Sequence, residues 1–247
     1  PPRMASLAAV GSPGKTYREA LRDALAEEMH RDDLVFLIGG DVAHNRGAPK
    51  VAQGLIDAYG PKRVMNVPTL EEAMYGAAVG AAFAGLKPVV EVGSWARALE
   101  TLTPYLVTAA ETFYLSGGAL AVPLVVRGPS GYVPGMTGQD ARCVAAELAR
   151  IPGLKVAMPA TPSAAKAVLS AAIRDPGPVA VLEHDLLYPT RDPFDGNGAY
   201  DASPGRARLL RKGADVTIAA AGRAVVTALE ASDALAQVGI EAEIVDL

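Results

Sequence analysis

The chain has 247 residues, half of them hydrophobic and a fifth charged, with a formal net charge of -4. That length accommodates one large domain, or one domain plus a smaller one. The two signs of charge are scattered, with no basic run or aromatic-basic stripe to support nucleic-acid binding, and the single cysteine, Cys143, excludes an internal disulfide framework.

Thr16 and Glu19 have the spacing of a capping box, and Leu21, Leu25 and Met29 follow at helical spacing, which predicts a helix over Thr16 to Met29. Leu34 to Ile38 is an apolar run ending at Gly39-Gly40-Asp41, a buried strand and a turn. Thr69 to Gly85 reads as a second capped helix, Val89 to Val92 as a strand, and Ala98 to Tyr114 as a helix. Val122 to Val126 is a strand followed by a Gly- and Pro-rich loop from Gly128 to Gly138, after which a helix is expected over Asp140 to Arg150. Cys143 is then a plain helix residue. Leu154 to Met158, Pro162 to Arg174 and Val179 to Leu182 read as strand, helix and strand. This alternation, with strands apolar throughout, predicts an α/β fold: a parallel sheet with helices on both faces. Ligands of such sheets sit beyond the carboxyl ends of the strands. The turns at Gly39 to Asp41, Gly93 to Arg97 and Arg127 to Gln139 are therefore the places to look for a site. The stretch 188–205, with Pro189, Pro193, Gly196, Gly198 and Pro204, reads as a linker. Beyond it, Val216 to Ala221, Ala224 to Val238 and Glu241 to Val245 restart the alternation as strand, helix and strand. The expected organisation is a tail over 1–15, an α/β domain over 16–187, the linker, and an incomplete second α/β domain over 206–247.

The start of the chain lacks a basic segment followed by a long apolar core. The most apolar stretch, Ala73 to Leu86, is too short to span a bilayer. The expectation is a soluble, cytoplasmic protein.

Glu71 and Glu72 open the second helix. Thr69 and Glu72 have capping-box spacing, which gives Glu72 a structural task and leaves Glu71 over. Two readings of Glu71 stand: a surface carboxylate complementing the helix dipole, or a carboxylate aimed at a ligand from an interface. Gly76, Gly80 and the surrounding alanines strip bulk from one face of that helix, suiting close packing inside the chain or against another subunit. Walker-type, Gly-x-Gly-x-x-Gly and Gly-x-Ser-x-Gly patterns are absent. His30, His44 and His184 have no second ligand at zinc spacing. His30 suits a helix C-terminus, and the other two read as solvated loop residues.

Several ordered segments carry a resemblance: Tyr17-Arg18-Glu19-Ala20-Leu21, Val35-Phe36-Leu37-Ile38-Gly39, Gly76-Ala77-Ala78-Val79-Gly80-Ala81-Ala82, Tyr114-Leu115-Ser116-Gly117-Gly118, Arg127-Gly128-Pro129 and Pro152-Gly153-Leu154-Lys155-Val156. Over nearly its whole length the chain resembles the beta subunits of pyruvate and branched-chain 2-oxoacid dehydrogenase E1, with a transketolase-like pyrimidine-binding domain and the start of a transketolase C-terminal-like domain. The resemblance implies thiamine diphosphate held between two different subunits, with an alpha-type partner gripping the diphosphate and Mg²⁺ in an alpha2-beta2 heterotetramer. It implies that Glu71 is the glutamate that hydrogen-bonds the aminopyrimidine nitrogen N1′, with Gly93, Trp95 and Arg97 as further cofactor contacts. It implies a 2-oxo substrate and a lipoyl or other carrier domain as acceptor. It also implies a monovalent cation, K⁺, on backbone carbonyls at Leu124, Ala172, Asp175 and Gly177.

Three positions differ from that family's pattern. Asp140 stands where the family has a histidine, Gly40 where an acidic residue is usual, and Arg97 where an aromatic flanks the pyrimidine. Asp140 is thus the candidate for the second catalytic position, and a carboxylate does not replace imidazole as a cationic donor near neutral pH. Arg97 either attracts an anionic or phosphorylated substrate or pairs with a nearby carboxylate. Two other functions stay open: a split transketolase-like enzyme moving a ketol unit from a ketose, and a non-catalytic assembly subunit.

Overall fold

The computed structural model describes residues 14–43, 50–67, 71–191 and 206–247. Its larger part is a parallel sheet of six strands in the order β2-β1-β3-β4-β6-β5. The strands are Val35–Gly39 (β1), Val64–Asn66 (β2), Lys87–Glu91 (β3), Val125–Pro129 (β4), Lys155–Ala157 (β5) and Val179–Glu183 (β6). The helices between them are Tyr17–Arg31 (α1), Leu55–Tyr59 (α2), Glu71–Phe83 (α3), Trp95–Leu115 (α4), Ala145–Ala149 (α5) and Pro162–Arg174 (α6).

Neighbouring strand residues alternate between two cores, as a period of two requires. Val90 and Val126 pack with Tyr75, Trp95, Leu102 and Leu106 of α3 and α4 on one face. Val89 and Val125 pack with Leu21, Leu25, Leu169 and Ile173 of α1 and α6 on the other. Helices therefore cover both faces, which is why the strands carry apolar residues on both sides instead of alternating. Each fully buried side chain of this kind contributes roughly 1.5–3 kcal/mol. Helix α1 starts where the sequence places it. Thr16 accepts from the Glu19 backbone at 3.3 Å, and Glu19 accepts from the Thr16 backbone at 2.7 Å. Thr161 caps α6 through the Ala164 N–H at 3.2 Å, with Pro162 at the first helical position.

The smaller part comprises Arg208–Arg211 (β7), Val216–Ala220 (β8), Arg223–Ala236 (α7) and Ala242–Asp246 (β9). Its three strands lie in the order β7-β9-β8, with β8 parallel and β7 antiparallel to β9. Val225, Leu229 and Ile244 form its core together with Ala160, which follows β5. The Gly222 N–H donates to the Met158 carbonyl at 3.0 Å, tying the two parts together. Among the described residues, no helix is long and apolar enough to cross a membrane.

The structure departs from the sequence expectations in several places. Helix α2 and strand β2 are too short, at five and three residues, to show a period. Strand β7 was hidden because it is a short edge strand with arginine at both ends. The helix expected over Asp140 to Arg150 shrinks to Ala145–Ala149, because the preceding turn is held by tertiary contacts to α4. Cys143 is accordingly an exposed turn residue, not a helix residue. The expected Thr69–Glu72 capping box, His44 and most of the linker lie outside the described residues.

Candidate functional site

Strands β1, β3 and β4 are neighbours in the sheet, so the turns that follow them share one end of it. Helix α3 begins at this end with Glu71, an exposed residue. Tyr75, one turn further along α3, donates its hydroxyl to Glu71 Oε2 at 3.3 Å. The Thr101 hydroxyl on α4 lies 3.5 Å from the same oxygen. Burial, and then the adjacent Glu71 charge, raise the Tyr75 phenol above its ordinary range, so it remains an O–H donor. The described hydrogen bonds run to Oε2, which leaves Oε1 to accept an N–H from a ligand. Neither Tyr75 nor Thr101 was singled out in the sequence. Tyr75 had a local signal, its place four residues after Glu71 on one helix face. Thr101 had none, because its proximity is tertiary.

Arg97 and Asp140 meet beside this carboxylate. Arg97 Nε donates to Asp140 Oδ1 at 2.5 Å and Nη2 to Oδ2 at 2.8 Å, a bidentate pair. Thr137 donates to Asp140 Oδ2 at 3.1 Å. The Arg97 hydrogen bond, together with that of Thr137, holds the Asp140 carboxyl below the usual carboxylate range, and Arg97 also feels the charge of Glu71. A second strap runs from Arg142 Nη2 to the Ala96 carbonyl at 3.1 Å. The turn after β4 is thus fastened to the first turn of α4.

Trp95 does not join the site. Its side chain is 0% exposed, packs in the core between the sheet and α4, and donates Nε1 to the Val181 carbonyl at 3.2 Å. The expected ring contact with a cofactor is therefore corrected: the ring presents no surface. Gly93 lies exposed in the turn between β3 and α4, and Gly40 and Asp41 are exposed after β1. His184 is not the solvated loop residue expected. It is half-buried against Gly131, and its Nδ1 accepts from the Leu186 N–H at 3.2 Å.

Beneath the site lies a charge cluster that the sequence reading did not identify. Arg127, the middle residue of β4, is fully buried and pairs with Glu91 at the end of β3. It also pairs in bidentate fashion with Glu183 at the end of β6, with Nε at 2.5 Å from Oε1. Tyr188 donates to Glu183 Oε2 at 2.7 Å. Burial works against the Arg127 charge, but Glu183 and Glu91 outweigh it and hold the guanidinium protonated. Burial raises the Glu91 carboxyl, with Arg127 pulling the other way. The signal was available: three adjacent apolar strands each end in or contain one charged residue near the same level. Gly128 is also fixed here, because a Cβ would lie 2.4 Å from the Val92 carbonyl.

The four residues suggested for a monovalent cation gather at the opposite, amino end of β4 and β6. The Leu124 carbonyl accepts from the Val179 N–H at 2.8 Å, and the Ala172 carbonyl from the Asp175 N–H at 3.2 Å. Lys155 Nζ reaches both Asp175 oxygens at 2.7 and 2.6 Å, and the Gly177 N–H donates to Asp175 Oδ1 at 2.8 Å. The Asp175 side chain thus already meets an ammonium. Among the described residues, no group of three or more His, Cys, Asp or Glu is placed to hold a metal ion.

Comparison with known proteins bears on the family and the fold. The sequence profile of the transketolase pyrimidine-binding domain matches residues 14–191, and that of the transketolase C-terminal domain matches residues 205–247. The mitochondrial pyruvate dehydrogenase E1 component subunit beta of Drosophila melanogaster is 45% identical over 94% of this chain and 64% of its own length. The subunit beta of Rickettsia conorii is 43% identical over 94% of this chain and 71% of its own length. The Rhizobium meliloti subunit beta is 43% identical over 94% of this chain, which spans half (50%) of that protein. Across the first such relatives, the chain spans 50–64% of their length. A solved split gene transketolase, described as an inactive beta4 tetramer, superposes with a TM-score of 0.68 at 24% identity, covering 95% of this chain and 71% of its own, and shares the fold. The chain belongs to the transketolase pyrimidine-binding domain family, together with the beta subunits of pyruvate dehydrogenase E1.

Proposed function

We propose that this chain is the beta-type subunit of a thiamine diphosphate-dependent E1 component. That component converts a 2-oxo substrate to an acyl or two-carbon unit and passes it to a lipoyl or other carrier domain. The observation that carries the reading is Glu71: an exposed carboxylate at the head of α3, held at one oxygen by Tyr75 and, among the described residues, open at the other. Such a group suits the aminopyrimidine nitrogen N1′, which needs a fixed acceptor to bias its proton. Bound there, thiamine diphosphate supplies the carbanion chemistry. Glu71 holds the ring and its proton, Tyr75 fixes the rotamer of Glu71, and Gly93 lies within the adjacent turn to border the ring.

The names of the relatives, subunits beta of pyruvate dehydrogenase E1, support a second, alpha-type chain as partner. The diphosphate and Mg²⁺ fall to that chain in this reading, because the sequence has no Gly-Asp-Gly motif of the diphosphate-binding type. An alpha2-beta2 heterotetramer follows. A K⁺ ion on the carbonyls of Leu124, Ala172, Asp175 and Gly177 would brace β4 and β6 from the far end. The single exposed cysteine suits a reducing compartment, and the cytoplasm is the proposed location.

The test is CO₂ release and carrier acylation by the full-length chain reconstituted with its alpha-type partner. Glu71→Ala is expected to lower both by about a hundred-fold or more. Undiminished acylation in that variant would sink the reading. Release of an aldose phosphate from a ketose phosphate, with no CO₂ from any 2-oxo acid, would replace it with ketol transfer.

A further inference from the structure

The geometry points to Arg97 as the residue that receives the anionic group of the substrate, with Asp140 as the positioning residue that aims it. This rests on the reading of Glu71 given above. A guanidinium carries five N–H donors in a rigid fork. Asp140 takes the edge formed by Nε and Nη2, at 2.5 and 2.8 Å. The end-on edge, formed by Nη1 and Nη2, suits a second planar anion. The exposures fit this division: the Arg97 side chain is 71% exposed and that of Asp140 only 16%. Asp140 is the anchored partner, fixed from behind by Thr137 at 3.1 Å, and Arg97 is the outward layer.

Two further observations argue against a merely structural pair. Arg97 stands in the first turn of α4, where the helix dipole favours an anion. That turn has no acidic residue, and Ser94 makes no side-chain cap. Helix stability therefore does not account for a cation at this position. Fastening the loop does not by itself require the pair, because Arg142 also ties it to the Ala96 carbonyl at 3.1 Å, and an exposed ion pair adds little to stability. Location favours a role in the site. Arg97 and Thr101 are four residues apart on one helix face, and Thr101 lies 3.5 Å from Glu71 Oε2. The cation thus borders the carboxylate proposed to hold the cofactor. Without Arg97, an approaching anion would meet Glu71 and Asp140 uncompensated.

The experiment compares an anionic donor with its uncharged counterpart, pyruvate against acetaldehyde, in the reconstituted complex. Arg97→Met is expected to raise KM for pyruvate about ten-fold or more, while KM for acetaldehyde stays within about two-fold. Arg97→Lys, which keeps the charge but not the fork, is expected to fall between parent and Arg97→Met. Asp140→Ala is expected to raise KM for pyruvate by less than Arg97→Met does, with KM for acetaldehyde unmoved, and Asp140→Glu to restore part of the loss. A ketose phosphate forms a further arm: a rise in KM confined to it identifies the anion as a phosphate instead of a carboxylate, with Arg97 still its receiver. An equal effect of Arg97→Met on pyruvate and acetaldehyde, or no effect on any anionic donor, overturns the assignment. Absence of thiamine diphosphate binding by the unmutated complex fails the Glu71 reading first. Intact binding with an indifferent Arg97 fails this inference alone.

Discussion

Two arginine-carboxylate clusters stand at the same end of one sheet, and they differ in what surrounds them. Arg127 is fully buried between Glu91 and Glu183, while the Arg97 side chain is 71% exposed beside Asp140. Both use bidentate geometry. In the buried cluster each charge depends on the others, because desolvation leaves no substitute for a lost partner. In the exposed pair, water replaces either partner readily. The first therefore fixes the ends of β3, β4 and β6 as a platform. The second is free to exchange or share partners with a ligand. The same side chains thus serve structure in one place and recognition a few residues away, and solvent decides which.

The largest effect is expected from breaking the platform. Arg127→Met leaves two buried carboxylates unpaired and should destabilise by about 3–5 kcal/mol in urea unfolding. Replacing all three charges, with Glu91→Leu and Glu183→Leu added, should recover most of that loss. A triple variant as unstable as the single one would contradict the interdependence. A smaller effect is expected at Asp246, a buried carboxylate at the end of β9, which burial pushes up to about 6 while Arg208 offsets part of the shift. Its folded value lies above its unfolded one. Its favourable contribution is therefore present below the unfolded value of 3.8 and is lost as pH rises through about 6. Asp246→Asn should gain about 1–2 kcal/mol at pH 7 relative to the parent, and the gain should vanish below pH of about 4. Stability curves against pH for both proteins check the sign. The smallest effect is expected at the exposed pair. Arg97→Met and Asp140→Asn should leave the melting temperature within about two degrees of the parent, whatever they do to substrate binding.

Much of this was legible in the sequence, and the residues show why. The capped start of α1 is a local device, readable from Thr16 and Glu19. The apolar runs within β1, β3, β4 and β6 announced a sheet covered on both faces. Glu71 was left over once Glu72 was assigned to a cap, although that cap lies outside the described residues. Tertiary choices were hidden. The same side-chain chemistry would have suited Trp95 as a ring contact, but the helix turns it into the core. Asp140 had the look of a helix start, but Arg97 claims its carboxylate and the helix begins later, at Ala145. The small-residue face of α3 divides. Gly76 meets the Tyr105 ring, where a Cβ would lie 3.3 Å away, while among the described residues nothing lies within 4 Å of a Cβ at Gly80. Sequence alone left packing within the chain and contact with another subunit equally open. The structure assigns the Gly76 end to packing within the chain and leaves the Gly80 end exposed.

The central claim is that Glu71 completes a cofactor site shared with a second chain. Calorimetric titration of thiamine diphosphate with Mg²⁺ tests it most directly, on the chain alone, on its complex with the alpha-type partner, and on that complex carrying Glu71→Ala. Tight binding by the unmutated complex only, with the chain alone and the variant both much weaker, is the predicted result. Equal binding with and without the Glu71 carboxylate, or no binding by the complex at millimolar cofactor, would contradict it and leave the fold without that chemistry.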